Sequence, residues 1–392
     1  MITKKQIFVM SATAGISVAN IYYNQPILND IAKDLNVSHL VVGNLPTFSQ
    51  IGYGLGLFFV SPLGDKIDRK KLLIILHLLL GLSLVGLSFI NNIVVLYALS
   101  LLVGLFAVSA QVVIPMAASM SGKDKGRVVG TIFSGLLTGI LLARTLSGYV
   151  TQWFDNWHAV FALSAIFVFA TIFFISKTLP NMEAHFENSY FSLLKSSIYQ
   201  LKRFSLLRRN TLLIAVSFGV FCSFWTTLTF KLSEAPFNYD SDVIGLFGVL
   251  AVAGAMLAPY IGRLSDKIDA NGIKLISVLM LIISVLLIRV FDTSLYAFIV
   301  AILLLDIGFQ AIQINNLSQI YGLDEKAHSR INTAYMSSMF VGGSIGTFIG
   351  VLCWEKGGWN FVTLQLLVLS VISLGIIIYS YMNKNVVSLD KK

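Results

Sequence analysis

Two charged residues stand in stretches that are otherwise apolar, small or weakly polar. Arg144 lies in "GILLARTLSG" (Gly139 to Gly148) and Asp306 in "LLDIGFQ" (Leu304 to Gln310). In water neither would need comment. At the centre of a bilayer a charged side chain costs ~2.5–3.5 kcal/mol on insertion scales, so it is by default functional and has a partner. Of the 19 acidic residues, only Asp306 falls well inside an apolar run. A carboxylate in a cavity suits proton coupling: burial disfavours its charged form, an approaching cation favours it, and proton and substrate then compete. Asp306 is the first candidate for coupling, against the alternative of a buried, hydrogen-bonded structural aspartate.

Other polar residues gather near these two. Gln310, Gln313 and Asn316 recur every three positions, and Asp306 precedes Gln310 by four, so all share one helix face. Asn20, Tyr23, Asn24 and Gln25 cluster at the end of the first apolar run, and Gln111 sits in the fourth. Trp225, in the seventh, could stack on an aromatic or cationic ligand. Tyr22 and Tyr23 fit membrane-interface anchors equally well.

The elements that must position these residues are membrane helices. Of 392 residues 56% are hydrophobic and 12% charged, with a mean hydropathy of +0.81; a soluble domain carries about 25% charged residues. Twelve apolar runs recur, at 7–27, 40–63, 72–90, 93–119, 128–150, 158–179, 211–230, 243–261, 274–291, 294–320, 331–352 and 359–381. Each can cross a hydrocarbon core of about 30 Å as a helix. The chain reads as an all-α polytopic membrane protein.

Cation placement predicts orientation. With the N-terminus inside, 23 of the 28 Lys and Arg fall on cytoplasmic segments and four on outer ones (Lys33, Lys231, Arg289, Lys356), leaving Arg144. Both termini are expected in the cytoplasm. The +9 net charge then faces anionic lipid rather than nucleic acid. The apolar run after "MITKKQIFVMSATAG" continues well past Ala14, which argues against a cleaved signal peptide. Cys222 falls inside an apolar run and Cys353 at the end of one, and they imply neither a disulfide nor a metal site.

The sequence also repeats. "DKID" begins at Asp65 and again at Asp266, 201 residues apart; Arg127, Gly139 and Ala143 find Arg330, Gly342 and Gly346 at 203; Trp157 and Trp359 stand 202 apart. Three anchors at spacings within two residues of one another predict two parallel six-helix pseudo-symmetric bundles, residues 1–179 and 211–392. The linker, 180–210, contains "YFSLLKSSIYQLKRFSLLRRN", where Phe191, Leu194, Ile198 and Leu201 recur at helical spacing among basic residues. It is expected to lie as an amphipathic helix on the cytoplasmic surface, or else to be a flexible basic linker. Repeated halves suit a transporter that rocks about a site at their interface; a channel or receptor does not need them.

The loops resemble the major facilitator superfamily across essentially the whole chain. That family marks the loop after helix 2 with G-x-x-x-D-[RK]-x-G-[RK]-[RK]. Here "SPLGDKIDRK" supplies Asp65, Lys66, Arg69 and Lys70, with Ser61 and Asp68 where glycines are usual. "GRLSDKIDAN" supplies Gly262, Asp266 and Lys267, then loses the basic pair. By the family's helix neighbours, the resemblance implies two conformational latches. Asp65 and Asp68, beside Arg69, would meet the start of helix 11 at Arg330; Asp266 and Asp269 would meet the start of helix 5 at Arg127. Acids there would face positive helix N-termini; plain positive-inside anchoring is the alternative.

Efflux-type members carry G-x8-G-x3-G-P-x2-G-G on helix 5. This chain places Gly130, Gly139, Ala143, Arg144, Ser147 and Gly148 there, with arginine in the proline position. That variant, "ANIYYNQPIL" at the end of helix 1 and the acid in "LLDIGFQ" resemble a bacterial branch that includes acriflavine-sensitivity-type exporters. The resemblance implies a central cavity lined by helix 10. Arg144 could pair with Asp306 across the two halves, clamp an anionic substrate, or snorkel to the outer interface. By helix rise Asp306 lies ~18 Å and Arg144 ~9 Å below the outer ends of their runs, so a pair needs a long reach.

No phosphate-cradling GxxxxGK[ST] occurs, and the five histidines show no metal-ligand spacing. With one acid and one base expected to be buried, the chain reads as neither an enzyme nor a cofactor binder. The expectation is a proton-coupled secondary transporter in a bacterial-type cytoplasmic membrane, working as a monomer. It would export small amphipathic compounds or metabolites; the alternative is a proton symporter importing a small organic anion.

Overall fold

The computed structural model describes residues 2–182, 189–251, 269–324 and 327–382. Among these residues there is helix and no strand. The chain divides into two compact units, Met1–Leu194 with Asp240–Leu246, and Lys195–Tyr239 with Phe247–Lys392.

The first unit contains α1 (Lys4–Ala19), α2 (Leu28–Leu35), α3 (His39–Leu55), α4 (Arg69–Leu87), α5 (Ile93–Phe106), α6 (Ser109–Met120), α7 (Lys125–Phe154) and α8 (His158–Thr178). After α9 (Tyr190–Arg203) come α10 (Ser205–Ser233), the described part of α11 (Ser241–Ala251), α12 (Ala270–Val290), α13 (Leu295–Tyr321) and α14 (His328–Met382). Gly357 and Gly358 break α14 into helices over 328–356 and 359–382; Gly358 takes φ +59°, which its missing Cβ permits. Among the described residues, eight segments are long and apolar enough to cross a membrane, counting Ile93–Met120 and His328–Met382 as one each. Large apolar side chains stand exposed along them, as with Ile166, Phe167, Phe173 and Phe174 on α8 or Val341, Ile345 and Phe348 on α14. Such a surface suits lipid.

The first helix departs from the expected run over 7–27. A capping box, with Thr3 and Gln6 exchanging side-chain and backbone bonds, starts α1, but it ends at Ala19 and residues 20–27 turn irregularly. The Asn20 amide bonds back to the carbonyls of Ile16 and Ser17, at 2.7 and 3.4 Å, and competes with the ladder. Pro26 then lacks a donor and disfavours helix at Gln25. Apart from the half-buried Tyr23, the whole stretch is buried, the condition under which irregular backbone is tolerated at membrane depth.

Close helix pairs organise both units. In the first, α1 crosses α7 with Gly15 against Gly135 and Gly139; in the second, α10 crosses α14 with Gly219 against Gly342 and Gly346. Of the small positions on α7, Gly139 packs on Gly15 and Gly148 on Ser241, while Gly130 has open space around it. On α9, Leu193, Leu194, Ser197 and Gln200 are buried, and Phe191, Ile198 and Tyr199 are exposed. The apolar residues at helical spacing are thus divided between two faces.

Candidate functional site

Arg144 is 3% exposed. Its Nε donates to Gln25 Oε1 at 2.9 Å, and its guanidinium lies over the Tyr22 ring, 5.1 Å from the centroid. Both partners come from the irregular stretch after α1. On the other side α11 presses backbone on backbone. A Cβ on Gly245 would come within 2.6 Å of the Arg144 carbonyl oxygen, and Thr145 donates to the Gly245 carbonyl at 3.1 Å. The arginine is therefore held inside the first unit rather than extended to a surface. Tyr22 is its cation–π partner and not an interface anchor.

The neighbouring polar residues have partners of their own. Ser164 donates to Asn20 Oδ1 at 2.7 Å, Asn24 Nδ2 reaches Ser49 Oγ at 3.4 Å, and Gln111 hydrogen-bonds Tyr53. Deeper in the unit His77, fully buried, joins α4 to α1 and α6. A carbonyl can only accept, so Nδ1 donates to Leu73 O at 2.8 Å, and Nε2 lies within hydrogen-bond distance of Ser17 Oγ at 3.1 Å. Outside the spans, on α2, burial pushes the Asp30 carboxyl above the usual carboxylate range, against a hydrogen bond from Ser241 and the charge of Lys33.

In the second unit Asp306 is 2% exposed, halfway along α13. Gln310 and Gln313 are half-buried and Asn316 fully buried. The four do not share one environment: Gln313 Nε2 lies 3.9 Å from Met339 Sδ, whereas Asn316 Nδ2 donates to the Asn210 carbonyl of α10 at 3.1 Å. Trp225 is buried among rings, with Phe221 and Phe224 centroids at 6.3 and 5.9 Å.

Among the residues of the expected latches, Asp65 pairs with Arg69, four residues on, at 3.2 Å, and Arg69 Nε donates to Gly64 O at 3.0 Å. Asp68 caps α4 by accepting from Lys71 N and also takes the Met182 N–H, at 2.8 and 2.6 Å. Arg127 is exposed at the start of α7 and Arg330 half-buried at the start of α14. Asp266 lies outside the described residues.

The expectation of a single buried base is also corrected. Arg144 is not the only buried base, because Lys274, counted above among the 23 cytoplasmic cations, is 3% exposed inside α12, and Lys231, counted among the outer ones, is 8% exposed in the last turn of α10. Lys274 stands at the very edge of its apolar run, where charge is ordinary. Only its helical register, opposite Asn210 and Gln319, would have betrayed it.

Comparison with known proteins gives a consistent result. A family profile described as Major Facilitator Superfamily matches residues 8–351. The chain is 36% identical over 369 residues to the uncharacterized transporter YgaY of Escherichia coli O157:H7, covering 94% of this chain and 93% of that one. It is 28% identical over 247 residues, 60% of each chain, to the multi-drug resistance efflux pump PmrA homolog of Lactococcus lactis subsp. lactis (strain IL1403). Its fold is similar to that of the POT family transporter PepTSo, with TM-score 0.75, 12% identity and 99% of both chains covered.

Proposed function

The chain belongs to the Major Facilitator Superfamily, and from that premise we propose a twelve-helix secondary transporter of two six-helix bundles that exports small amphipathic compounds or metabolites in exchange for protons. Alternating access about a site between the bundles would carry the substrate across a cytoplasmic membrane with both termini inside. The observation that supports this reading most is a buried charge of opposite sign in each unit, Arg144 at 3% and Asp306 at 2% exposure. Neither charge is needed for an inert helix bundle, and each is costly. Asp306 is assigned to proton coupling and Arg144, with Asn24, Gln25 and Gln111, to substrate. The efflux-pump relative supports the direction only weakly. Import of an organic anion with protons is the second reading, favoured by the held guanidinium of Arg144.

The test is efflux of ethidium or acriflavine from cells overexpressing the protein, with and without a protonophore. Asp306→Asn is expected to reach the membrane at wild-type level and to lose energised efflux. Efflux that survives both the protonophore and Asp306→Asn sinks proton coupling through this residue. If the wild type moves no cationic dye, uptake of small organic anions is measured next.

The latch has its own test. Asp65→Arg removes the Asp65–Arg69 pair and sets a second cation in the place of the carboxylate that Arg69 now meets, between the short 3-10 turn Ser61–Asp65 and the start of α4, so activity should fall several-fold. Combining it with Arg330→Asp should recover at least half of the loss. A double variant no better than the worse single variant argues against a direct partnership.

A further inference from the structure

The most unusual polar cluster outside the assigned site surrounds Lys274, at the end of the second unit where α10 and α12 begin and α13 ends. Lys274 Nζ donates to Asn210 Oδ1 at 2.8 Å and to Gln319 Oε1 at 2.6 Å. Asn210 Nδ2 donates to the same Gln319 oxygen at 2.9 Å, which fixes its own oxygen toward the lysine. Asn316 anchors the Asn210 carbonyl at 3.1 Å, and the buried Tyr335 of α14 sets its hydroxyl beside the Asn316 amide.

Among the described residues, two charges act on Nζ. Arg209 of α10 repels it and Asp269, just before α12, attracts it. The groups named above from α13 and α14, Asn316, Gln319 and Tyr335, are uncharged near neutrality. Lys274 forms no ion pair among the described residues.

An ammonium has three N–H donors and a neutral amine two. The cage supplies two acceptors, both neutral amide oxygens, so it matches the amine's donors and leaves the ammonium one over. A lysine kept permanently charged at such a site would be expected to face a carboxylate at hydrogen-bond distance. Both protonation states can use the same two oxygens, so the proton can come and go without dismantling the junction of α10, α12 and α13.

We propose that Lys274 is a reversible proton-binding site of the second unit. The step is the plain dissociation of the ammonium: one N–H bond breaks, its electron pair stays on Nζ, and the proton passes to water at the adjoining helix ends. The site is distinct from Asp306, which lies 13 residues earlier on the α13 that carries Gln319; at ~1.5 Å per residue that is ~20 Å along one helix. Protonation at Lys274 would charge the foot of the helix that bears the proposed coupling acid. The inference does not depend on transport being proton-driven, and its test uses no substrate.

The experiment is thermal unfolding of the purified full-length protein in detergent, followed by tryptophan fluorescence between pH 6 and 10. Wild type is compared with Lys274→Met, permanently neutral, and Lys274→Arg, permanently charged. The wild-type melting temperature should carry a pH-dependent component of about 3 °C or more that both variants lack. Three curves of one shape, differing only by a constant offset, overturn the proposal. Should the variants fail to fold, wild-type protein labelled with 15N at lysine Nζ decides alone. One resonance titrating apart from the other lysines supports the site, and all lysines titrating together refutes it.

Discussion

Arg144→Gln should lower energised dye efflux by about 100-fold while leaving the amount of protein in the membrane near wild type. The size follows from what is lost. A hydrogen bond to a charged group contributes ~1.5–3 kcal/mol, and ~2.8 kcal/mol corresponds to about 100-fold. Arg144→Lys should rescue little. A lysine has no Nε–H to reach Gln25 while a planar cation lies over Tyr22, so the substitution is not conservative here. Gln25→Ala removes one partner and keeps the charge, and should cost about 10-fold, the ~1.5 kcal/mol at the lower end of the range for such a bond. The measurement is the initial rate of ethidium or carboxyfluorescein efflux, normalised to protein counted by in-gel fluorescence of a fusion tag. Arg144→Gln that transports at the wild-type rate would make the guanidinium structural. Arg144→Lys that transports normally would mean that only the positive charge matters.

The parts of this arrangement differed in how openly the sequence announced them. Arg144 was legible because a charge in a long apolar run has few bland explanations, and the resemblance to the superfamily rested on polar loop residues that lipid does not dictate. Tyr22 was not legible. Tyrosine at a helix end is the ordinary signature of a membrane interface, and only the break after Ala19 turns its ring toward the arginine. That break was itself hidden, since Asn20 and Pro26 sit among residues apolar enough to extend the run and hydropathy does not register a side chain bonding to its own helix. Lys274 was obscured by the opposite effect: basic residues are so common at the inner ends of apolar runs that one facing inward looks like one facing out. Burial of a charge at a helix end depends on neighbours distant in the chain, here Asn210 and Gln319.

The close helix pairs were legible as small residues in a family-like pattern, yet the pattern did not say which of them is indispensable. A Cβ on Gly139 would run into the carbonyl of Gly15, and one on Gly342 into the carbonyl of Ala215. In both cases the obstacle is backbone on a facing helix, which no rotamer change can clear. Gly139→Leu and Gly342→Leu must therefore part α1 from α7 or α10 from α14. Overpacking of this kind costs ~1–3 kcal/mol or more, and the packing lost along a small-residue seam adds to it, because close van der Waals contact is a main source of helix association in lipid. Each variant should lose about 5–10 °C of melting temperature in detergent or fail to give a single peak on gel filtration. Gly130→Leu lies on the same α7 as Gly139, and Gly375→Leu on the helix that follows the break in α14, both with open space where a Cβ would be added; they should melt within ~2 °C of wild type, since they gain a side chain without displacing a neighbour. The comparison within one helix separates contact from composition, because a glycine in α7 is replaced by the same leucine in both cases. Equal losses at Gly139 and Gly130 would mean that the seam does not carry the stability ascribed to it. A loss at Gly139 and Gly342 alone would tie the stability of each unit to its own backbone-on-backbone crossing. The two glycines stand 203 residues apart and each meets the first apolar helix of its own unit, so similar losses would also be the energetic counterpart of the repeat.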